Sequence, residues 1–420
     1  MHHFEYRGNI LHAEDVPVTE IAREVGTPFY LYSHATLKHH FEVFDNSFEK
    51  IPHITCFSVK SNSNIAILKL FARLGGGADI VSGGELYRAI CAGVPRNRIV
   101  YSGVGKTEEE ICFALEEDIL MFNVESEEEL EVINECAGRL EKKARIALRV
   151  NPDVDPKTHP YISTGLEKNK FGLDVKSSID TYRKAQSFDN IEVTGIDCHI
   201  GSQLTELSPF VGALARLKTL IGKLKEMGIS IKYLDLGGGL GITYNDETPP
   251  HPIQYAREII KMVQDLGCTL ILEPGRVIVG NAGILVTKVL YTKSTSIKKF
   301  LIVDAGMNDL VRPSLYGSYH HIQPVILKEE AEKETVDVVG PICESGDFLA
   351  QDRELPVCTG GDYLAVMSAG AYGFTMASNY NSRLRPAEVM VKEDKFFVIR
   401  ERETYEDLVA KERIPEFLED

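Results

Sequence analysis

Between residues 50 and 277, short runs rich in isoleucine, valine and leucine alternate with longer segments of helical period, which restricts the chain to parallel β/α units. The runs fall at 54–59, 78–81, 98–102, 120–124, 145–150, 195–200, 233–236 and 269–272, eight in all. Helix punctuation lies between them. Thr107-Glu108-Glu109-Glu110 and Ser126-Glu127-Glu128-Glu129 both read as capping boxes, and Gly75, Gly93, Gly228 and Gly267 follow helical stretches as stops. Parallel strands with right-handed crossovers can lie open as a doubly wound sheet or close on themselves, and the number eight favours closure. The expected fold class is therefore α/β, a TIM-type (β/α)8 barrel.

After about residue 278 the pattern changes to β-branched runs with period-two alternation, at 284–290, 300–303, 335–339, 363–367 and 388–399 around a Glu393-Asp394 turn. These predict a second, β-rich C-terminal domain of sandwich or barrel type. Residues 4–13 read as a hairpin turning at Gly8-Asn9 that joins this domain in space. The expected boundaries are 1–30 for the N-terminal strands, 31–277 for the barrel and 278–420 for the β-domain, with a last helix at 403–411.

A formal charge of −16 argues against nucleic-acid and anionic-membrane partners, because such a surface repels phosphate. No stretch approaches the ~20 apolar residues of a membrane helix and the start has no apolar leader, so a cytoplasmic location is expected. The eight cysteines are scattered singly without metal-ligand spacing; no metal is expected, and most cysteines read as small buried hydrophobes.

Chemistry in such barrels sits at the C-terminal ends of the strands. Here those ends read Val59-Lys60-Ser61-Asn62, Ser82-Gly83-Gly84-Glu85, Ser102-Gly103, His199-Ile200-Gly201-Ser202, Gly237-Gly238-Gly239 and Glu273-Pro274-Gly275-Arg276. Two look-alikes fail. Gly103-Val104-Gly105-Lys106-Thr107 imitates a P-loop but has Val100 where that motif needs glycine. Gly237-Gly238-Gly239-Leu240-Gly241 imitates a dinucleotide loop, yet Ile242 replaces its last glycine and the segment follows a seventh strand.

Glycine loops after strands seven and eight are where such barrels commonly hold a phosphate, although each loop alone could simply turn a strand into a helix. Lys60 ends an apolar run, where partial desolvation would make its neutral amine available to an aldehyde; a solvated or salt-bridged lysine is the plain alternative. An imine-forming lysine beside a phosphate site points to pyridoxal phosphate. Glu273 would then keep the pyridine nitrogen protonated, or else pair with an arginine inside the barrel. His199 could lie flat on the ring or be a satisfied core histidine, and the residues leave both open.

The stretches Phe57-Ser58-Val59-Lys60-Ser61-Asn62, Ser82-Gly83-Gly84-Glu85, Cys198-His199-Ile200-Gly201-Ser202-Gln203, Asp235-Leu236-Gly237-Gly238-Gly239, Glu273-Pro274-Gly275-Arg276, Cys343-Glu344-Ser345-Gly346-Asp347 and Gly370-Ala371-Tyr372-Gly373 resemble the alanine-racemase-like, fold type III group of pyridoxal-phosphate enzymes. Within that group the chain is similar to the decarboxylases of basic amino acids, across nearly its whole length. The resemblance implies that Lys60 forms the Schiff base and His199 stacks on the ring, with Glu273 partnering the pyridine nitrogen. It assigns Ser202, Gly239, Pro274, Gly275, Arg276 and Tyr372 to the cofactor, most of them to its phosphate. It makes Cys343 the proton donor, reaching the site from the partner subunit of a homodimer.

Met307-Asn308-Asp309-Leu310-Val311-Arg312-Pro313-Ser314-Leu315-Tyr316 resembles the family's substrate segment. There Arg312 and Tyr316, with Arg276, would bind carboxylate; Glu344 would take a distal ammonium, and Tyr372 lies among the substrate contacts. Residues 164–172 look like the lid of the diaminopimelate branch. The expected reaction is decarboxylation of meso-2,6-diaminopimelate to L-lysine and carbon dioxide, the final step of lysine biosynthesis. Ornithine or arginine decarboxylation is the alternative, opposed by Arg312 and Glu344. Glu273 counts against an amino-acid racemase, since that group places arginine at the ring nitrogen, and the presence of Lys60 and Cys343 counts against an inactive homologue.

Overall fold

The eight apolar runs fold as eight parallel strands: His53–Ser58, Gly77–Ile80, Ile99–Tyr101, Met121–Val124, Ala144–Asn151, Ile191–Asp197, Tyr233–Asp235 and Thr269–Leu272. Each pairs with the next, and the eighth pairs back on the first with Leu270 beside His53, which closes the barrel. Strands buried on both faces need continuous apolar sequence, and this is why they were legible. Cys56, Val100, Leu120, Met121, Ala147 and Ile271 form one buried apolar cluster. Asp79, Ser102, Asn123, Glu125, Arg149, Asp197, Asp235 and Glu273 are also buried, so the barrel carries a polar layer as well.

The described residues are 2–154, 170–328 and 332–419 of a computed structural model. They divide into two units, Lys38–Val279, which holds the barrel, and Met1–Leu37 with Gly280–Asp420.

The Thr107 capping box is complete in both directions, but the one at Ser126 is not. Ser126 Oγ accepts from Glu129 N at 3.1 Å, whereas the Glu129 carboxylate turns to Lys106 Nζ at 2.7 Å and Glu125 N at 3.3 Å. A buried ammonium within reach outcompetes a backbone N–H, because a charge-assisted bond is the stronger one.

In the second unit a nine-stranded sheet runs Phe348–Pro356, Lys333–Val339, Lys299–Val303, Gly283–Ser294, Phe29–Ser33, Ala387–Lys392, Lys395–Arg400, with Tyr363–Val366 pairing on Gly283–Ser294 and Ile322–Pro324 pairing on Tyr363–Val366. The N-terminal strand inside this sheet is Phe29–Ser33, antiparallel to Gly283–Ser294 and parallel to Ala387–Lys392. The hairpin of Phe4–Arg7 and Ile10–Ala13 forms its own three-stranded sheet with Val16–Pro17. It packs Phe4, Leu11 and Ala13 into the same core as Phe29, Ile284 and Val389. The last helix is shorter than expected, Tyr405–Val409, held by a capping box between Thr404 and Asp407. Only Cys56, Cys136, Cys198 and Cys358 are buried; Cys91 and Cys343 are exposed and Cys112 and Cys268 half-buried, so burial accounts for half of the cysteines rather than most.

Candidate active site in the barrel mouth

Each barrel strand delivers its last polar residue to the same end. Lys60 lies in the 3-10 turn Val59–Ser61 that follows the first strand, and its Nζ donates to Asp79 Oδ2 on the second strand at 2.8 Å. Ser58 Oγ donates to the same oxygen at 2.7 Å and lies 3.1 Å from Glu273 O. Asp79 was not singled out in the sequence, because an acid inside the run Gly77–Ile80 reads as an interruption of a strand.

Glu273 follows the eighth strand and is wholly enclosed. Its Oε1 accepts from Ser102 Oγ at 3.3 Å and Asn123 Nδ2 at 3.4 Å, and Asn123 Nδ2 also reaches Asp235 Oδ2 at 3.1 Å. Burial, then the Asp235 and Asp79 charges, push the Glu273 carboxyl well above its ordinary range, and burial lifts Asp235 to about 7. The arginine in the barrel is Arg149, which pairs with Glu125 at 2.6 Å and lies 3.8 Å from Asp197.

His199 Nδ1 accepts from Gly238 N at 3.1 Å. Burial, with Arg149 and Lys60 nearby, holds the imidazole well below its usual pKa, so it is neutral and carries its proton on Nε2. The glycines beside it are sterically required. A Cβ at Gly237 would stand 2.5 Å from His199 Nδ1, one at Gly238 2.2 Å from Glu273 O, and one at Gly239 2.6 Å from Gly201 O. A Cβ at Gly275 would press on Ser58 and Ser61 at 3.0 Å. Such bare backbone leaves N–H groups that a phosphate can approach.

Arg276 opens the short helix Arg276–Val279, donating from Nη1 to Tyr244 Oη at 2.6 Å and from Nη2 to Ser202 Oγ at 3.2 Å. Lys60, His199, Ser202, Gly239, Glu273, Pro274, Gly275 and Arg276 therefore all lie on the C-terminal ends of barrel strands or the turns after them. Asp79, Asn123, Asp235 and Tyr244 join them.

The remaining candidates belong to the β-rich unit. Arg312 is buried at the start of helix Arg312–Tyr316, where its guanidinium lies 5.8 Å from the Tyr316 ring centroid and its Nη2 is 3.2 Å from Ser318 Oγ. Ser314 Oγ donates to Gly346 O at 2.5 Å, tying that helix to the exposed loop of Cys343 and Glu344. Cys343 N donates to Asn381 Oδ1 at 2.6 Å. Tyr372 sits at a positive φ of 55°. Residues 164–169 of the expected lid lie outside the described residues; of its remainder, Gly172 N donates to Glu125 Oε2 at 2.8 Å and Phe171 stacks under Arg149 at 4.8 Å.

Among the described residues no group of three or more His, Cys, Asp or Glu could hold a metal, and no helix is long and apolar enough to cross a membrane. A lysine amine, a buried acid and glycine loops with no room for a Cβ are the donor set that an aldehyde-bearing pyridine phosphate requires.

Residues 34–280 match the family model of the pyridoxal-dependent decarboxylases, pyridoxal binding domain. The chain is 54% identical over 98% of its length to the diaminopimelate decarboxylase of Haemophilus influenzae, covering 99% of that protein. It superposes on the diaminopimelate decarboxylase of Helicobacter pylori complexed with L-lysine with a TM-score of 0.91 at 44% identity, covering 94% of this chain and 98% of that one. The M. jannaschii enzyme in co-complex with L-lysine gives a TM-score of 0.94 at 44% identity, over 99% and 98% of the two chains. The chain belongs to the pyridoxal-dependent decarboxylases and, within them, to the diaminopimelate decarboxylase family.

Proposed function

We propose that this protein decarboxylates meso-2,6-diaminopimelate to L-lysine and carbon dioxide, the last step of lysine biosynthesis. The observation that carries the reading is the near-full-length identity to diaminopimelate decarboxylases, over a barrel mouth whose lysine, acid and glycine loops suit pyridoxal phosphate.

Pyridoxal phosphate, when bound, supplies an aldehyde for the substrate amine and a ring that takes up the electron pair left by the departing carboxylate. The chain's own groups do the rest. Lys60 would hold the cofactor through its amine, which Asp79 orients. Glu273 would hold the cofactor's pyridine nitrogen, where it would keep a proton, and neutral His199 would lie against the ring without adding charge. Ser202, Gly239, Pro274, Gly275, Arg276 and Tyr372 hold the phosphate end. Arg276, Arg312, Tyr316 and Tyr372 orient the substrate carboxylates, a guanidinium fork being suited to that task, and Glu344 takes the distal ammonium. Cys343 delivers the proton that replaces the lost carboxylate at Cα.

We further propose a cytoplasmic homodimer in which Cys343 and Glu344 enter the partner's site; their exposure in the single chain supports this. Mixing Lys60→Ala with Cys343→Ala protein tests the arrangement, since heterodimers would carry one intact site and recover about a quarter of full activity. No recovery from two folded, exchanging variants would place Cys343 in its own subunit's site. Incubation with meso-diaminopimelate, ornithine and arginine tests the reaction: lysine from the first alone is expected, and putrescine or agmatine would overturn the substrate assignment.

A further inference from the structure

Asn123 lies in the fourth strand, wholly buried, on the far side of the barrel from the eighth. Its Nδ2 stands 3.0 Å from Ser102 Oγ, 3.1 Å from Asp235 Oδ2 and 3.4 Å from Glu273 Oε1. Ser102 Oγ reaches that same Glu273 oxygen at 3.3 Å. One amide thus bridges groups from the third, fourth, seventh and eighth strands. Its Oδ1, by contrast, is buried with no hydrogen-bond partner, a cost that a leucine of similar size would avoid. The amide nitrogen is therefore the useful end.

We infer that Asn123 is a positioning residue, whose amide fixes the Glu273 carboxyl against Asp235 so that Glu273 meets the cofactor's ring nitrogen in one orientation. The inference rests on the pyridoxal-phosphate reading of this barrel. Two carboxyls brought together in a dry interior repel when both are charged, and a shared donor relieves that repulsion while setting their angle. The other groups bearing on Glu273 are Asp79 and Lys60 at the second and first strands, Asp197 and Arg149 at the sixth and fifth, and Cys56 in the first. None of these is an uncharged side-chain N–H donor held against both carboxyls.

The test uses the full-length holoprotein. Asn123→Leu keeps the volume and removes both N–H groups, so Glu273 should lose acidity and support the ring nitrogen's proton less well. The pH midpoint of the bound cofactor's absorption should fall by about one unit, and its dissociation constant should rise. Turnover should fall about 100-fold with KM within about threefold, as for a misplaced catalytic group. A folded Asn123→Leu protein with unmoved midpoint and turnover overturns the inference. If that variant does not fold, Ser102→Ala should move the midpoint the same way by less, and no movement there overturns it too. Wild-type protein that binds no pyridoxal phosphate overturns the reading of the barrel as well, whereas normal wild-type binding with unmoved variants overturns the role of Asn123 alone.

Discussion

Two lysines end up against carboxylates inside the same barrel, and they have opposite characters. Lys106 is 0% exposed and gives a proton to each of Gly103 O at 2.8 Å, Asn123 O at 2.9 Å and Glu129 Oε1 at 2.7 Å. All three of its N–H bonds are spent on fixed acceptors, so it has no geometry left for chemistry. Lys60 is 33% exposed, and it meets Asp79 at 2.8 Å beside Ser58, which shares the same oxygen. The difference teaches that a buried ion pair is a structural device when its ammonium is enclosed and saturated. An ammonium that keeps a third of its side chain exposed is instead open to a ligand in the mouth.

Replacing each lysine should break the comparison in different currencies. Lys60→Ala should lose the borohydride-trapped cofactor adduct and at least ~10⁴-fold in turnover, and a variant of undiminished turnover would sink the assignment. Lys106→Met leaves Glu129 buried without its cation, so urea unfolding should report a loss of about 3–5 kcal/mol while the adduct on Lys60 persists. An adduct at Lys106, found by peptide mapping, would erase the distinction. Asp79→Asn keeps the shape but removes the charge that orients Lys60; turnover should fall about 10- to 100-fold with stability altered by less than ~2 kcal/mol. A larger stability loss would make Asp79 a partner of the Lys106 kind.

A further prediction concerns acids rather than ammonium groups. Burial pushes the Asp235 carboxyl from the ordinary aspartate range up to about 7, so the folded state keeps a proton that the unfolded state releases. Stability from this group is therefore greatest below pH ~4 and declines as pH rises toward about 7. Asp235→Asn should flatten that part of the stability profile. A slope unchanged in the variant would assign the proton to Glu273 or Asp197 instead.

Much of the barrel could be read in advance because parallel strands buried on both faces must be apolar throughout, and because glycine loops and a lysine follow those runs at set places. Lys60, His199, Glu273 and Arg276 were visible for that reason, being polar residues just past an apolar run. Asp79, Asn123 and Asp235 were not assigned roles, since they lie within strands. A polar side chain there declares itself only when closure turns it inward beside others. Phe29–Ser33 was likewise hidden: a five-residue apolar strand far from its partners in sequence carries no periodic signal. The capping box at Ser126 failed because Lys106, twenty residues earlier in sequence, competes for Glu129.

The sequence by itself determined the order of the eight barrel strands, the glycine loops after the seventh and eighth of them and the lysine that ends the first apolar run, since each depends on a residue and its near neighbours. Only the tertiary structure decided that Lys60 meets Asp79, that Lys106 is silenced by three acceptors and that one asparagine bridges Ser102, Asp235 and Glu273. Those contacts join strands far apart in the chain, and hydrogen-bond strength depends on ångström distances that no local pattern encodes.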